Sequence, residues 1–224
     1  MHYHFILVNP ARGENVGFAA RAIKTMGFSS LRIVGEPLQD TSAARKTAYG
    51  AHDVLDEITT FQSLSEALTD LDLTIGTTSK KRIKRYDYHT PGQIAELLHN
   101  KCGIIQNVGI LFGSEESGLT TEDLEYCDLI STIPLATRYP SLNLAQSVLI
   151  YAWELYNSDR LNIDEQANHK LQAVLKKEMD QLLLQLGFDQ RPLMQQRIMD
   201  RVMLLNSDDS ELLMAILNKL KRTI

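Results

Sequence analysis

A chain of 224 residues, 44% hydrophobic and 23% charged, can bury a full core, and it has no apolar run near the roughly 20 residues that span a bilayer. Its 28 acidic against 23 basic side chains give a net charge of −5, which argues against a general polyanion binder. Its two cysteines, Cys102 and Cys127, offer neither a disulfide framework nor metal-ligand spacing, so a cytoplasmic protein with no membrane segment and no metal is expected.

The amino terminus, MHYHFILVNP, lacks the basic, apolar and small-residue segments of a leader and reads as a first strand, centred on the continuous apolar run 5–8. Residues 15–26 then place Val16, Ala19, Ala20 and Ile23 at helical spacing before Gly27 stops the helix. Further strands are predicted over 31–34, 73–76, 109–112 and 129–134. Helices are predicted over 43–49, 63–71 and 91–100, the last with Thr90 as N-cap and Pro91 at its first position. Strands alternating with helices predict an α/β fold with a mostly parallel sheet covered on both faces. Residues 141–156 follow as an apolar helix capped by Ser141, with Ala145, Val148, Leu149, Ala152, Trp153 and Tyr156 on one stripe. From Asn157 a short polar linker leads to a tail with helical signals alone. One face runs from Leu171 to Leu186 before Gly187, and a last helix starts at Asp208 with Glu211 completing a capping-box pattern. The organisation is thus a domain over 1–157 and a helical extension over 158–224.

Charge is uneven along the chain. Residues 1–158 hold 13 basic and 18 acidic side chains, whereas 159–224 hold 10 of each. Within the acidic part, Lys80, Lys81, Arg82, Lys84 and Arg85 fill five of six positions. Such a cluster is either a solvated loop or a local phosphate-binding footprint.

No Gly-rich dinucleotide loop, Walker loop, H-E-x-x-H or cysteine-rich motif is present, and the six histidines are scattered. Three other segments carry chemistry. The first is Asn15-Val-Gly17-Phe-Ala-Ala-Arg21, where the glycine one turn before Arg21 leaves open space for the guanidinium beside a helix start. Taken alone, the segment is better described by a capping Asn15, a packing glycine and a surface arginine. The second is Phe-Gly113-Ser114-Glu115-Glu116-Ser117-Gly118-Leu119, whose glycines permit tight turns and a close approach of main chain to a flat base. Its paired carboxylates suit a cationic or neutral ligand better than a triphosphate. The third is Ile133 to Ala145, with Tyr139-Pro140-Ser141-Leu142-Asn143 at the start of the apolar helix.

In this order the motifs N-x-G-x-x-x-R, F-G-x-E-x-x-G-L and S-L-N-L-A resemble the SpoU, or TrmH-type, branch of the SPOUT methyltransferases, and within it the TrmJ-like tRNA/rRNA 2′-O-methyltransferases. The resemblance runs over about residues 3–156 and includes 47–53 and 76–79. It implies a carboxy-terminal deep trefoil knot in the sheet domain, an exception among folds. It also implies a homodimer with sites completed at the subunit interface, and S-adenosylmethionine as cofactor. Thr77, Thr78, Ser79, Gly113, Ile133, Pro140, Ser141 and Leu142 match the cofactor pocket, and Asn15, Arg21, Glu115, Ser141 and Asn143 match the catalytic set. The implied activity is ribose 2′-O-methylation of RNA, foremost tRNA, with cytidine or uridine at position 32 of the anticodon loop as the leading target. Ribosomal RNA, or a non-catalytic RNA-binding role on the same fold, are the alternatives. One departure is Ser114, where many relatives carry arginine. A guanidinium donates rather than accepts protons, so Arg21 is expected to stabilise the oxyanion and clamp a phosphate, with Asn15 and Glu115 orienting it.

Overall fold

The computed structural model describes residues 1–79, 87–101, 104–137, 141–188, 192–205 and 207–221, with main chain alone at 160–170, 172, 192, 207, 208 and 221. Contacts divide them into two compact units, Met1–Asp159 and Arg160–Ile224.

In the first unit, β1 (His2–Val8), β2 (Leu31–Val34), β3 (Thr59–Phe61), β4 (Leu73–Thr77), β5 (Tyr88–His89), β6 (Asn107–Phe112) and β7 (Leu129–Ser131) form one sheet among the described residues. Its order is β3-β2-β1-β6-β4-β7-β5 and every pairing is parallel. The unbroken apolar run of β1 follows from burial on both faces. Phe5 and Leu7 point into one core with α1 (Gly13–Thr25), α2 (Ser42–Thr47), α3 (His52–Asp56), α5 (Pro91–Asn100) and the first part of α7 (Leu144–Gln185). Ile6 and Val8 point into the other, with α4 (Leu64–Ala67) and α6 (Thr121–Glu125). Each such side chain contributes about 1.5–3 kcal/mol on burial.

The helix over Pro91–Asn100 has the predicted boundaries and a full capping box, Thr90 Oγ1 with Gln93 N–H and Gln93 Oε1 with Thr90 N–H. The strand expected over 129–134 stops at Ser131, and the helix expected over 63–71 shrinks to Leu64–Ala67 behind its Ser63 cap. β3 and β5, three and two residues long, are too short to leave a period in the sequence.

Four expectations are corrected. The polar linker expected from Asn157 is helical, because α7 runs unbroken from Leu144 to Gln185. Asn15 does not cap α1, which starts at Gly13 after Arg12; Asn15 is a buried residue of its first turn. Gly17 does not make room for Arg21. A Cβ there would collide with the Thr47 hydroxyl and the Ala44 carbonyl, so the glycine lets α1 and α2 touch. The apolar stripe of the helix after Asn143 is also split. Ala145, Val148 and Ala152 are buried together with Tyr151 and Leu155, while Leu149, Trp153 and Tyr156 remain exposed by 40%, 49% and 39%.

The second unit is helical in its described residues: the remainder of α7, α8 (Pro192–Val202) and α9 (Ser207–Lys221). Leu175, Met179, Val202 and Leu217 form its small core. Gly187 takes φ +78° just past α7, the left-handed turn that ends a helix.

Candidate active site

The strand order reverses direction around β1, β6 and β4, and Asn15, Thr77, Gly113 and Glu115 lie at or just beyond the carboxyl ends of these strands, where open parallel sheets bind ligands. Gly113 follows β6 directly. A Cβ on it would collide with the main chain of Gly118 and Leu119, because the next five residues fold back on themselves. The Gly118 N–H donates to the Ser114 carbonyl at 2.8 Å, and Gly118 turns with φ +72°. This closed loop fixes where Glu115 stands.

Glu115 Oε2 accepts from the Ala11 N–H at 2.7 Å and Oε1 from Asn15 Nδ2 at 2.6 Å. Asn15 Oδ1 accepts from Asn143 Nδ2 at 2.9 Å, and Asn143 Oδ1 accepts from the Ala145 N–H at 2.9 Å. Each amide can take this chain of bonds in one orientation only: a carboxylate demands the amide nitrogen, which turns the amide oxygen to the next donor. One relay therefore locks the first motif to two others, 100 and 128 residues further along the chain. It also corrects the cap, because Asn143 rather than Ser141 caps α7 through its bond to Ala145. Sequence reasoning missed Gln146, whose Oε1 accepts from the Asn143 N–H at 3.1 Å. Its position three residues after an Asn cap was the available signal.

Arg21 lies about 9 Å along the helix from Asn15. It is exposed, and among the described residues its guanidinium has no hydrogen-bond or ion-pair partner. Asn15 and Glu115 thus hold Asn143, not Arg21. Arg21 lines an open groove of about 760 Å³ with Asn15, Phe18, Asn143, Gln146 and Leu149. On the other side of Asn15 and Asn143 is a second cavity of about 280 Å³, bordered by Arg12, Glu115, Glu116, Ser141 and Leu142. The two hydrogen-bonded asparagines form the common wall.

Of the residues matched to a cofactor pocket, Thr77 ends β4 and its hydroxyl donates to the Leu111 carbonyl at 2.7 Å. The Thr78 N–H donates to the Ser131 carbonyl at 2.9 Å, with Ser79 exposed beside it. Ile133 is half-buried two residues past β7, and Leu142 is half-buried in the smaller cavity. Pro140 lies outside the described residues, as do Lys80, Lys81, Arg82, Lys84 and Arg85. In the second unit Lys176, Lys177, Arg197 and Arg201 are exposed.

Other reactive groups stand apart. Burial, with Asp128 and Asp123 nearby, pushes the Cys127 thiol up to about 12, which keeps it protonated and inert. Among the described residues no cluster of three His, Cys, Asp or Glu side chains could hold a metal, and no helix is long and apolar enough to cross a membrane.

The model of the SpoU rRNA Methylase family matches residues 2–153. The chain is 37% identical over 227 aligned residues to a protein of Escherichia coli strain K12 named uncharacterized tRNA/rRNA methyltransferase LasT, covering 100% of this chain and 99% of that one. It is 33% identical to the tRNA (cytidine/uridine-2′-O-)-methyltransferase TrmJ of Pectobacterium atrosepticum, over 88% of this chain and 85% of the relative. Among solved structures, TrmJ from Z. mobilis ZM4 superposes with a TM-score of 0.64 at 29% identity, over 99% of this chain and 100% of that one.

Proposed function

The chain belongs to the SpoU rRNA methylase family, and we propose that it is a dimeric, cytoplasmic enzyme that moves a methyl group from S-adenosylmethionine to a ribose 2′-oxygen of tRNA. The observation that carries this reading is the Glu115–Asn15–Asn143 relay, which holds three motifs together beside Arg21, whose guanidinium has no partner among the described residues. The TrmJ relative of Pectobacterium atrosepticum is named for cytidine and uridine 2′-O-methylation of tRNA, which supports the same chemistry here. Position 32 of the anticodon loop is the target we favour.

The strand ends fit the cofactor. They offer main chain, small residues and aliphatic Ile133 and Leu142 for a flat base, with Glu115 and Glu116 near a positive charge. S-adenosylmethionine supplies a methyl group on a cationic sulfonium. Thr77, Thr78, Ser79, Gly113, Ile133, Pro140, Ser141 and Leu142 would hold it. Arg21 then donates to the ribose oxygen as negative charge grows there and clamps a neighbouring phosphate. The relay keeps Asn15 and Asn143 fixed while this happens, so no reorientation accompanies the reaction. Lys80, Lys81, Arg82, Lys84 and Arg85 supply phosphate contacts.

A second copy of the chain covers the groove that carries Arg21. Phe18 is 47% exposed there, and Leu149, Trp153 and Tyr156 continue the apolar surface along α7. A homodimer through this face would bring each Arg21 to the edge of its partner. We also assign the chain the knotted threading of its family. The test is methyl transfer from labelled cofactor to bulk tRNA and to ribosomal RNA, followed by mapping of the methylated nucleotide. Incorporation at a tRNA pyrimidine ribose is expected. Incorporation only into ribosomal RNA, or RNA binding without turnover, would overturn the assignment.

A further inference from the structure

The smaller cavity presents a particular set of side chains. Glu115, Asn15 and Asn143 have committed their side-chain oxygens and amide groups to one another and to nearby main chain. Arg12, Glu116 and Ser141 border the same cavity, and among the described residues the Arg12 guanidinium, the Glu116 carboxylate and the Ser141 hydroxyl have no partner. Both charged residues sit on fixed backbone. The Arg12 carbonyl accepts from the Asn15 and Val16 N–H groups at 3.2 and 3.4 Å, and the Glu116 N–H donates to Ser114 Oγ at 3.3 Å within the closed loop.

A cation, an anion and a hydroxyl around one small cavity select a ligand that carries both charges. A phosphate on Arg12 would face two carboxylates, and a lone ammonium on Glu116 would face a guanidinium. An α-amino-acid group satisfies both, since its carboxylate pairs with the planar guanidinium fork and its ammonium with Glu116. We propose that Arg12 and Glu116 hold the amino-acid end of the cofactor, with Ser141 as a third contact, a role that rests on the cofactor reading given above. They line the same cavity as Asn15 and Asn143, so the cofactor's far end would be anchored beside the relay.

Two neutral thioether nucleosides isolate this contact. S-adenosylhomocysteine and 5′-methylthioadenosine share the adenosine and the sulfur, and only the first has the amino-acid end. Their dissociation constants are measured by calorimetry, the second by displacement, on the full-length parent, Arg12→Gln and Glu116→Gln, with thermal melting as a control for folding. Arg12→Gln should weaken S-adenosylhomocysteine by about tenfold or more, the worth of a charge-assisted hydrogen bond, and leave methylthioadenosine unchanged. Glu116→Gln should show the same selectivity with a smaller rise. Equal losses for both nucleosides, no loss for either, or a loss of RNA affinity alone each overturns the proposal. A parent chain that binds neither nucleoside overturns the cofactor reading itself, and this assignment with it.

Discussion

The amino-terminal halves of β1 and β2 and the carboxyl ends of the same sheet each hold a polar cluster, and they dispose of their hydrogen bonds differently. At the amino end the buried Arg32 guanidinium donates to the Ala67 carbonyl at 2.7 Å, to both oxygens of Asp70 at 2.7 Å and to His4 Nδ1 at 3.2 Å, and it lies 5.6 Å from the Phe61 ring centre. At the carboxyl end the relay ties asparagines and a carboxylate together, and among the described residues the cations Arg12 and Arg21 have no partners. A buried arginine with these partners ties β1, β2 and the segment after α4 together. An exposed arginine beside a rigid relay is available to a substrate.

That contrast breaks most sharply at Arg21. Arg21→Ala should lower methyl transfer by a factor of about 10²–10³, the usual loss for one preorganised donor, with melting temperature and cofactor affinity unchanged. Activity close to the parent's would place the chemistry elsewhere. Asp70→Ala is the mirror experiment. It leaves the buried guanidinium short of two acceptors and should cost about 1–3 kcal/mol in denaturant unfolding, while turnover per folded molecule stays the same. A loss of turnover without a loss of stability would show that the amino-end cluster reaches the site.

Acid should separate the clusters too. Burial and the neighbouring Arg32 charge hold the His4 imidazole below its ordinary 6.5, because Nδ1 must accept from a guanidinium. The Arg32 hydrogen bonds hold Asp70 below the ordinary carboxylate value of 3.8. Both groups bind more protons unfolded than folded. The His4 contribution is therefore intact above pH 6.5 and is lost as pH falls through its folded value, and the Asp70 contribution goes at lower pH in the same direction. Melting temperature should begin to fall below pH 6.5, and His4→Gln should flatten that first decline. An unaltered profile would remove His4 from the account. The smallest effect concerns the basic run. Neutralising any two of Lys80, Lys81, Arg82, Lys84 and Arg85 should make the slope of log K for RNA against log salt shallower by about 1–2 units, without moving cofactor affinity. An unchanged slope would return the run to a solvated loop.

The parts of this molecule legible in sequence are those where one local cause suffices. Residues 5–8 are apolar throughout because both faces of β1 are buried, and Thr90 with Pro91 marks a helix start unambiguously. Asn15, Arg21, Glu115 and Asn143 could be picked out by motif and do converge on one place. What could not be read depends on partners distant in sequence. Gly17 is small because α2 lies on it, and Asn143 takes the cap because Asn15 turns its amide. Helical periodicity likewise groups Leu149 and Trp153 with Val148, since a period records apolarity and not which neighbour covers it.

The position of β6 has a consequence for how the protein is made. Residues 107–112 form the strand that joins β1 to β4, so the middle of the sheet is the latest of those three to be synthesised. At translation rates of about 5–20 residues per second, β1 waits several seconds for that neighbour with one edge open. β4 emerges without either of its eventual partners, β6 and β7. The nascent chain must keep these apolar edges from pairing with other chains until β6, and for β4 also β7, has left the ribosome, a hazard that falls on the half-made protein alone.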